Sequence, residues 1–128
     1  MRQKIIQNLG LLFFGLLLSS LTHTSLYAQE GDVVKGKALF NANCAACHQL
    51  DKKMTGPALR YVEKRLSEEE GLDRKWLNAW IRNSSSLIKS GDAYANKIYN
   101  EYNGAAMTAY PQFSDEDISN ILAYTAQD

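Results

Sequence analysis

Two cysteines and a histidine lie together in one short segment of the chain, Asn43-Cys44-Ala45-Ala46-Cys47-His48. Cys44 and Cys47 are the only two cysteines among the 128 residues. Any structure that uses these thiols must therefore use both of them at this spacing, with the imidazole of His48 immediately beside them. No other feature of the sequence restricts the possible folds as strongly.

The first 28 residues have the layout of a secretory signal peptide. A basic start with Arg2 and Lys4 is followed by an apolar run that reaches Leu21 and by a polar stretch that ends at Ala28. We expect cleavage after Ala28, which leaves residues 29–128 as the mature domain. The alternative is an uncleaved membrane anchor, because the apolar run reaches the lower length limit for a membrane span.

Length and charge indicate a single domain and argue against nucleic-acid binding. A mature chain of this size is enough for one compact domain. Loss of Arg2 and Lys4 leaves 12 of the 14 basic residues against 14 acidic residues, a net charge near −2. A nucleic-acid-binding domain would show a strongly basic face, so no nucleic-acid partner is expected.

Outside the cytoplasm thiols oxidise readily, so the two cysteines should be bridged or otherwise occupied.

Three interpretations of the cysteine segment fit the sequence poorly. A thioredoxin-like disulfide between Cys44 and Cys47 normally accompanies a βαβ unit, and no run of residues alternates convincingly enough to predict a strand. A structural zinc site needs four ligands, and the mature chain has no further cysteine or histidine, so a carboxylate would have to complete the site. Chance burial of two cysteines leaves His48 unexplained.

The fourth interpretation uses all three residues. In a C-x-x-C-H segment each thiol forms a thioether with one vinyl group of a haem, and the following histidine ligates the iron. About one helical turn separates the two sulfurs, which suits two vinyl groups on one edge of the ring. Covalent haem c bound by Cys44 and Cys47, with His48 as an axial ligand, is therefore the predicted cofactor. A large apolar macrocycle would also give a small domain the centre of its core.

The ligand on the other face of the iron decides between electron transfer and reaction chemistry. The only other histidine, His23, lies in the predicted leader, so the candidates are Met54 and Met107. Met54 follows His48 by six residues, and a chain that short reaches at most about 20 Å around the haem edge. Met107 lies 59 residues after His48 in a loop, and we prefer it. Met54 is expected to be an ordinary core residue.

The hydrophobic periodicity predicts an all-α fold with about five helices. A stripe of Val34, Ala38 and Leu39 is expected to be buried, and the acidic run 67–71 is expected to be a solvated connection. The predicted helices cover residues 33–44, 61–66, 72–83, 90–102 and 118–125. The last is preceded by a capping box from Ser114 to Asp117.

From Asp32 to its C-terminus the chain resembles the class I c-type cytochromes, small single-haem electron carriers. Gly36 and Phe40 precede Cys44 at intervals of four residues, and Met107 precedes Tyr124 by 17. The resemblance implies a cytochrome c fold in which the first and last helices cross closely, with Phe40 near Tyr124.

The resemblance also implies further site residues. Gly56-Pro57-Ala58-Leu59 is similar to the loop whose proline carbonyl fixes the proximal imidazole, so Pro57 should accept a hydrogen bond from His48. Trp80 and Ile81 correspond to a helix that covers the haem on the side of Met107. The chain departs from the family pattern where Ser84 replaces a common proline, where 85–102 adds a helix, and where Tyr110 separates Met107 from Pro111.

The sequence therefore predicts a non-enzymatic electron carrier with His48 and Met107 as axial ligands, exported to the periplasm and acting in a respiratory chain. Redox proteins are the expected partners, and a free carrier should be a monomer. Lys52, Lys53, Arg74 and Lys75 are candidates for a docking rim, although plain solubilising charge is the simpler interpretation.

Two alternatives remain open at this stage. One is the haem subunit of a larger respiratory complex at the membrane. The other is a five-coordinate haem that reduces peroxide or binds a gas, with Tyr94, Tyr110 or Arg82 on the open side of the iron. With His23 in the predicted leader, the mature chain would have no second histidine to serve as the base of a peroxidase.

Overall fold

The computed structural model describes residues 31–128, so the predicted signal peptide lies outside the described residues. Between residues 31 and 128 the chain forms five helices and no strand, which confirms the predicted all-α class. The helices are α1 (Val33–Asn43), α2 (Val62–Glu70), α3 (Arg74–Lys89), α4 (Ala93–Glu101) and α5 (Asp115–Thr125). None of the helices in this part of the chain combines the length and apolar character needed to cross a membrane.

Helix starts follow the local capping signals. The Asp32 carboxylate accepts hydrogen bonds from the backbone N–H groups of Val34 and Lys35 at the start of α1. Asp92 caps α4, and Ser114 and Asp117 form the predicted capping box at α5. Such side-chain acceptors satisfy backbone donors that have no partner inside the helix. Because these signals lie within four residues of each helix start, the sequence revealed them.

The buried face of α1 differs from the prediction. Val34 is 79% exposed, whereas Gly36 and Phe40 are buried. A β-carbon on Gly36 would lie 1.8 Å from the backbone oxygen of Asn120, so the two helices are in backbone contact there. The predicted stripe and the pair Gly36 and Phe40 both have helical spacing. The close crossing with α5 requires a glycine at the contact, so the face that carries Gly36 is the buried one.

The predicted ends of two helices were also wrong. Helix α2 runs on to Glu70, so residues 67–70 of the acidic run are helical rather than a connection, and Gly71 ends the helix in the left-handed region at φ +67°. Glutamate is a good helix former, and α2 has no buried residue that fixes its length. Helix α3 continues past the predicted end at Asn83 to Lys89, with non-helical dihedrals at Asn83.

The crossing of α1 and α5 is the main contact between helices. Phe40 and Tyr124 meet edge to face with ring centroids 5.3 Å apart, as the resemblance implied. The Asn120 side chain accepts a hydrogen bond from the backbone N–H of Asp32 at 2.7 Å. The buried apolar core comprises Phe40, Leu77, Phe113, Ile118, Ile121 and Leu122. This crossing holds the end of α1, and hence the cysteine segment, against the core.

Candidate haem site

The cysteine segment begins where α1 ends. Cys44 is the C-cap of α1, and its carbonyl oxygen accepts hydrogen bonds from the backbone N–H groups of Cys47 and His48 at 3.0 and 2.9 Å. This tight turn places both thiols and the imidazole close together. The thiols are not joined to each other; Cys47 is exposed and Cys44 half-buried. Burial raises the pKa of the Cys44 thiol to about 11, so a free thiol there would remain protonated at neutral pH.

The imidazole of His48 is held in one orientation. Its Nδ1 lies 2.8 Å from the carbonyl oxygen of Pro57, the partner that the resemblance implied. A carbonyl oxygen can only accept, so Nδ1 donates and carries the proton. The other ring nitrogen, Nε2, then has a free lone pair suited to a metal ion. His48 as a residue is only 8% exposed, which limits competition from water.

Gly56 makes room for this ring. A β-carbon at position 56 would lie 2.2 Å from Cε1 of His48 and 2.8 Å from Nε2. The backbone N–H of Gly56 donates to the carbonyl oxygen of Cys47 at 2.9 Å, so the loop cannot easily retreat. The sequence marked Gly56 as a loop residue, but its role beside the imidazole became visible only in the structure.

A large apolar cavity opens beside the cysteine segment. It contains about 1390 Å³ of space, including the part that opens to solvent. Its lining includes every site residue predicted from the sequence: Cys44, Cys47, His48, Pro57, Trp80, Ile81 and Met107. One apolar cavity is thus lined by two thiols, an imidazole with a free nitrogen, and a thioether. This set of side chains fits a covalently attached haem.

The cavity lining also includes Trp76, which the sequence did not assign to the site, and Tyr94, which was considered only for an open iron site. Trp76 stacks on Trp80 with centroids 5.5 Å apart and meets Tyr94 edge to face at 5.5 Å. Its indole N–H donates to Asp92 at 3.0 Å, which satisfies the polar edge of a half-buried ring. Tyr94, Ile98 and Tyr102 of α4 also line the cavity. The spacing of four residues between these side chains was the sequence signal that they share one face of a helix.

The two methionine candidates lie in different environments. Met107 is half-buried and lines the cavity, whereas Met54 is 40% exposed and is not part of the cavity lining. The prediction that Met54 packs in the core is therefore wrong. The tight loop from Met54 to Gly56 closes with a backbone hydrogen bond of 2.9 Å between those two residues, which leaves the methionine side chain on the surface.

Two of the three residues considered for an open iron site are engaged elsewhere. The Tyr110 hydroxyl donates to the carbonyl oxygen of Asn43 at 2.5 Å, although the tyrosine also lines the cavity. Arg82 pairs with Asp115 at 2.6 Å, and Arg82 is not among the cavity residues. Tyr94 lines the cavity with a pKa raised chiefly by burial, so its hydroxyl is not a base at neutral pH.

The four basic residues considered for a docking rim do not form one surface. Lys53 lies 3.4 Å from Glu101 and 4.2 Å from the centre of the Tyr102 ring, beside the cavity. Arg74 pairs with Glu63, and together with Lys75 it lines a separate surface depression.

The exposed residues that line the cavity are mostly uncharged. We call Cys47, Thr55, Ala105, Ala106 and Thr108 the cavity mouth. Arg65 is the one charged residue that is both exposed and part of the lining, and its side chain donates to the carbonyl oxygens of Arg60 and Ala58. The edge of the cavity thus offers a largely neutral surface.

The comparisons with known proteins agree with this geometry. The Cytochrome c family model matches residues 33–127. The chain belongs to the cytochrome c family. This membership gives the protein one covalently attached haem c and a role in haem-based electron transfer.

Two curated relatives are bacterial cytochromes. The chain is 37% identical to cytochrome c-551 of Pseudomonas aeruginosa over 73 residues, which cover 56% of this chain and 69% of the relative. It is 51% identical to cytochrome c-551 of Stutzerimonas stutzeri over 37 residues, which cover 28% of this chain and 36% of the relative.

Solved structures give the same fold. Cytochrome c from Rhodothermus marinus matches with a TM-score of 0.55 and 28% identity, covering 73% of this chain and 72% of that protein. An engineered form of the Rhodothermus marinus protein, bound to a carbene intermediate, matches with a TM-score of 0.56 and 31% identity over the same shares. These likenesses confirm the predicted cytochrome c fold.

Proposed function

We propose that this cytochrome c is a one-electron carrier in an extracytoplasmic respiratory chain, with His48 and Met107 as the axial ligands of its haem iron. Cys44 and Cys47 would hold the haem through two thioether bonds. The observation that carries the proposal is that one apolar cavity is lined by the cysteine segment and by Met107.

When bound, the haem supplies an iron centre that accepts and releases one electron between Fe(II) and Fe(III). The residues of the chain determine how that centre behaves. The hydrogen bond to Pro57 holds the His48 ring with Nε2 unprotonated. Met107 would occupy the remaining position on the iron, and histidine–methionine ligation raises the reduction potential. Pro57, Trp80 and Ile81 would form part of the pocket that excludes water.

A filled sixth position favours a carrier over an enzyme or gas sensor. With both ligands in place, no position would be vacant for peroxide or a gas. The similarity to cytochrome c-551 of Pseudomonas aeruginosa supports electron transfer as the function. The direct test is carbon monoxide binding to the dithionite-reduced holoprotein. We expect no spectral change on adding carbon monoxide, and ready binding would contradict the proposal.

We further propose that residues 1–28 direct export and that residues 29–128 act in the periplasm as a free monomer. The partners would be other redox proteins that dock briefly at the cavity mouth, because transient electron-transfer contacts are small. The mature N-terminus and the elution volume on gel filtration test this part. A chain that begins at Gln29 and elutes as a monomer is expected. A retained leader or a stable complex would instead indicate a subunit of a membrane assembly.

A further inference from the structure

A buried serine is bonded to the backbone of the proposed iron ligand. The Ser84 side chain is fully buried, and its hydroxyl donates to the carbonyl oxygen of Met107 at 2.9 Å. The two residues are 23 positions apart, on α3 and in the loop that follows α4. The resemblance led us to note Ser84 only as a departure from a common proline.

The local structure of α3 explains why a serine hydroxyl is available at this point. Asn83 adopts non-helical dihedrals (φ −162°, ψ 79°), and its side-chain oxygen accepts a hydrogen bond from the backbone N–H of Ser86 at 3.1 Å. Asn83 therefore acts as an N-cap for the second part of α3, and Ser84 occupies the first helical position after it. The Ser84 hydroxyl is then free to bond outside the helix.

The loop around Met107 has few other attachments. On the N-terminal side of Met107, the backbone N–H of Ala105 donates to the carbonyl oxygen of Tyr102 at 3.1 Å. On its C-terminal side, the backbone N–H of Tyr110 donates to the carbonyl oxygen of Ile81 at 3.2 Å. For residues 106–109, the hydrogen bond from Ser84 is the only one found within the described part of the chain. Among residues 31–128, Ser84 thus provides the only polar tether of the segment that carries the methionine.

We propose that Ser84 is a positioning residue that holds the Met107 backbone so that its sulfur stays bound to the iron and resists replacement by external ligands. This inference rests on the proposed function, in which Met107 is an axial ligand. The Ser84 hydroxyl does not itself contact the iron site; it acts through the carbonyl group of Met107. Removing the hydroxyl should therefore increase the fraction of protein in which Met107 is detached.

The experiment is a titration of the ferric holoprotein with imidazole. Binding is monitored through the loss of the long-wavelength absorption band that a sulfur–iron bond produces. In Ser84→Ala we expect the apparent affinity for imidazole to rise about three- to tenfold, the range given by the loss of one ordinary hydrogen bond. Ser90→Ala is the matched control, because it removes a serine-to-carbonyl hydrogen bond of 2.8 Å to Leu87 at the exposed end of the same helix. An unchanged affinity in Ser84→Ala would overturn the inference.

Ser84→Pro provides a second variant if the alanine protein does not fold. Proline is well tolerated at the first position of a helix and has no donor, so it should tighten imidazole binding to a similar extent. Wild-type affinity in a folded Ser84→Pro protein would also overturn the inference. Changes in thermal stability alone, without a change in imidazole affinity, would indicate that Ser84 is merely structural.

Met107→Ala separates this inference from the proposed function. If Met107 is a ligand, that variant should lose the sulfur–iron band and bind imidazole more tightly than Ser84→Ala does. If Met107→Ala binds imidazole more tightly than wild type while Ser84→Ala does not, only the role of Ser84 is contradicted. If wild type lacks the band and Met107→Ala matches its imidazole affinity, the proposed ligation fails, and the role of Ser84 fails with it.

Discussion

Gly36 and Asn120 are in backbone contact where α1 crosses α5: a β-carbon on Gly36 would lie 1.8 Å from the backbone oxygen of Asn120. Because the obstructing atom is backbone, no side-chain rotation can relieve the clash. The crossing that supports the end of α1 therefore depends on the absence of a side chain at this position.

Gly36→Ala should destabilise the holoprotein by about 3 kcal/mol, the upper end of typical overpacking costs. Helix propensity alone predicts the opposite sign, a gain of about 1 kcal/mol for alanine over glycine, so the clash must dominate. Urea unfolding of the holoprotein measures the difference. Gly71→Ala is the comparison for backbone strain without a clash: its φ of +67° should make alanine cost about 1 kcal/mol, although no atom lies within 4 Å of the added β-carbon. Equal or higher stability in Gly36→Ala would contradict the close crossing.

Gly56→Ala should disturb the iron site rather than the fold as a whole. The added β-carbon would lie 2.2 Å from Cε1 of His48, which forces the ring away from its hydrogen bond with Pro57. We expect a lower haem-to-protein ratio in purified protein or a shifted haem spectrum, with a helical content near that of wild type by circular dichroism. A spectrum and haem content identical to wild type would show that the imidazole is not confined by Gly56.

The capping box of α5 predicts a pH dependence of stability. Hydrogen bonds from the Ser114 hydroxyl and backbone hold the pKa of Asp117 below its usual value of 3.8. A carboxyl whose pKa is lower in the folded state stabilises the protein above about pH 4, and this contribution is lost as pH falls through the folded pKa. The group is exposed to solvent, so the effect should be well under about 1 kcal/mol.

Asp117→Asn should therefore reduce the loss of urea stability between pH 6 and pH 3. Glu68→Gln, which removes an acid from the exposed surface of α2, is the control for the change in net charge. If both variants lose stability over this range as wild type does, the capping carboxylate does not contribute to acid sensitivity. Ser114→Ala should cost about 1 kcal/mol at pH 6, as is typical when an N-cap is removed.

The largely neutral cavity mouth predicts how electron exchange responds to charge. A lysine in place of Ala106 would bring like charges together when two copies of the protein meet at this surface, so Ala106→Lys should slow electron self-exchange about tenfold at low ionic strength. Added salt should restore much of the rate. Ala38→Lys, on the exposed side of α1 and outside the cavity lining, is the control. Equal rates in the two variants would mean that electrons leave through another surface.

Local signals explain which parts of the fold were predictable. The caps at Asp32 and Ser114 act within their own helices, so the sequence predicted those helix starts. The start of α4 was predicted at Ser90, whereas the helix begins after its cap, Asp92. The buried face of α1 and the full length of α3 depend on what packs against them, and the sequence pattern alone could not specify either.

The site shows the same division between local and distant contacts. The cysteine segment and the short span from His48 to Pro57 were predictable, because residue types and spacing carry the chemistry. The bond between Ser84 and Met107 spans 23 residues, and that between Tyr110 and Asn43 spans 67. Such contacts depend on how the loops are arranged in space, and no sequence motif marks them.

The most direct test of the account is the absorption spectrum of the ferric holoprotein in wild type, Met107→Ala and Met54→Ala. Met107 lines the cavity with His48, whereas Met54 lies on the surface. We predict that wild type and Met54→Ala show the long-wavelength sulfur–iron band and that Met107→Ala lacks it. A band that persists in Met107→Ala, or that disappears in Met54→Ala, would contradict the proposed ligation by His48 and Met107.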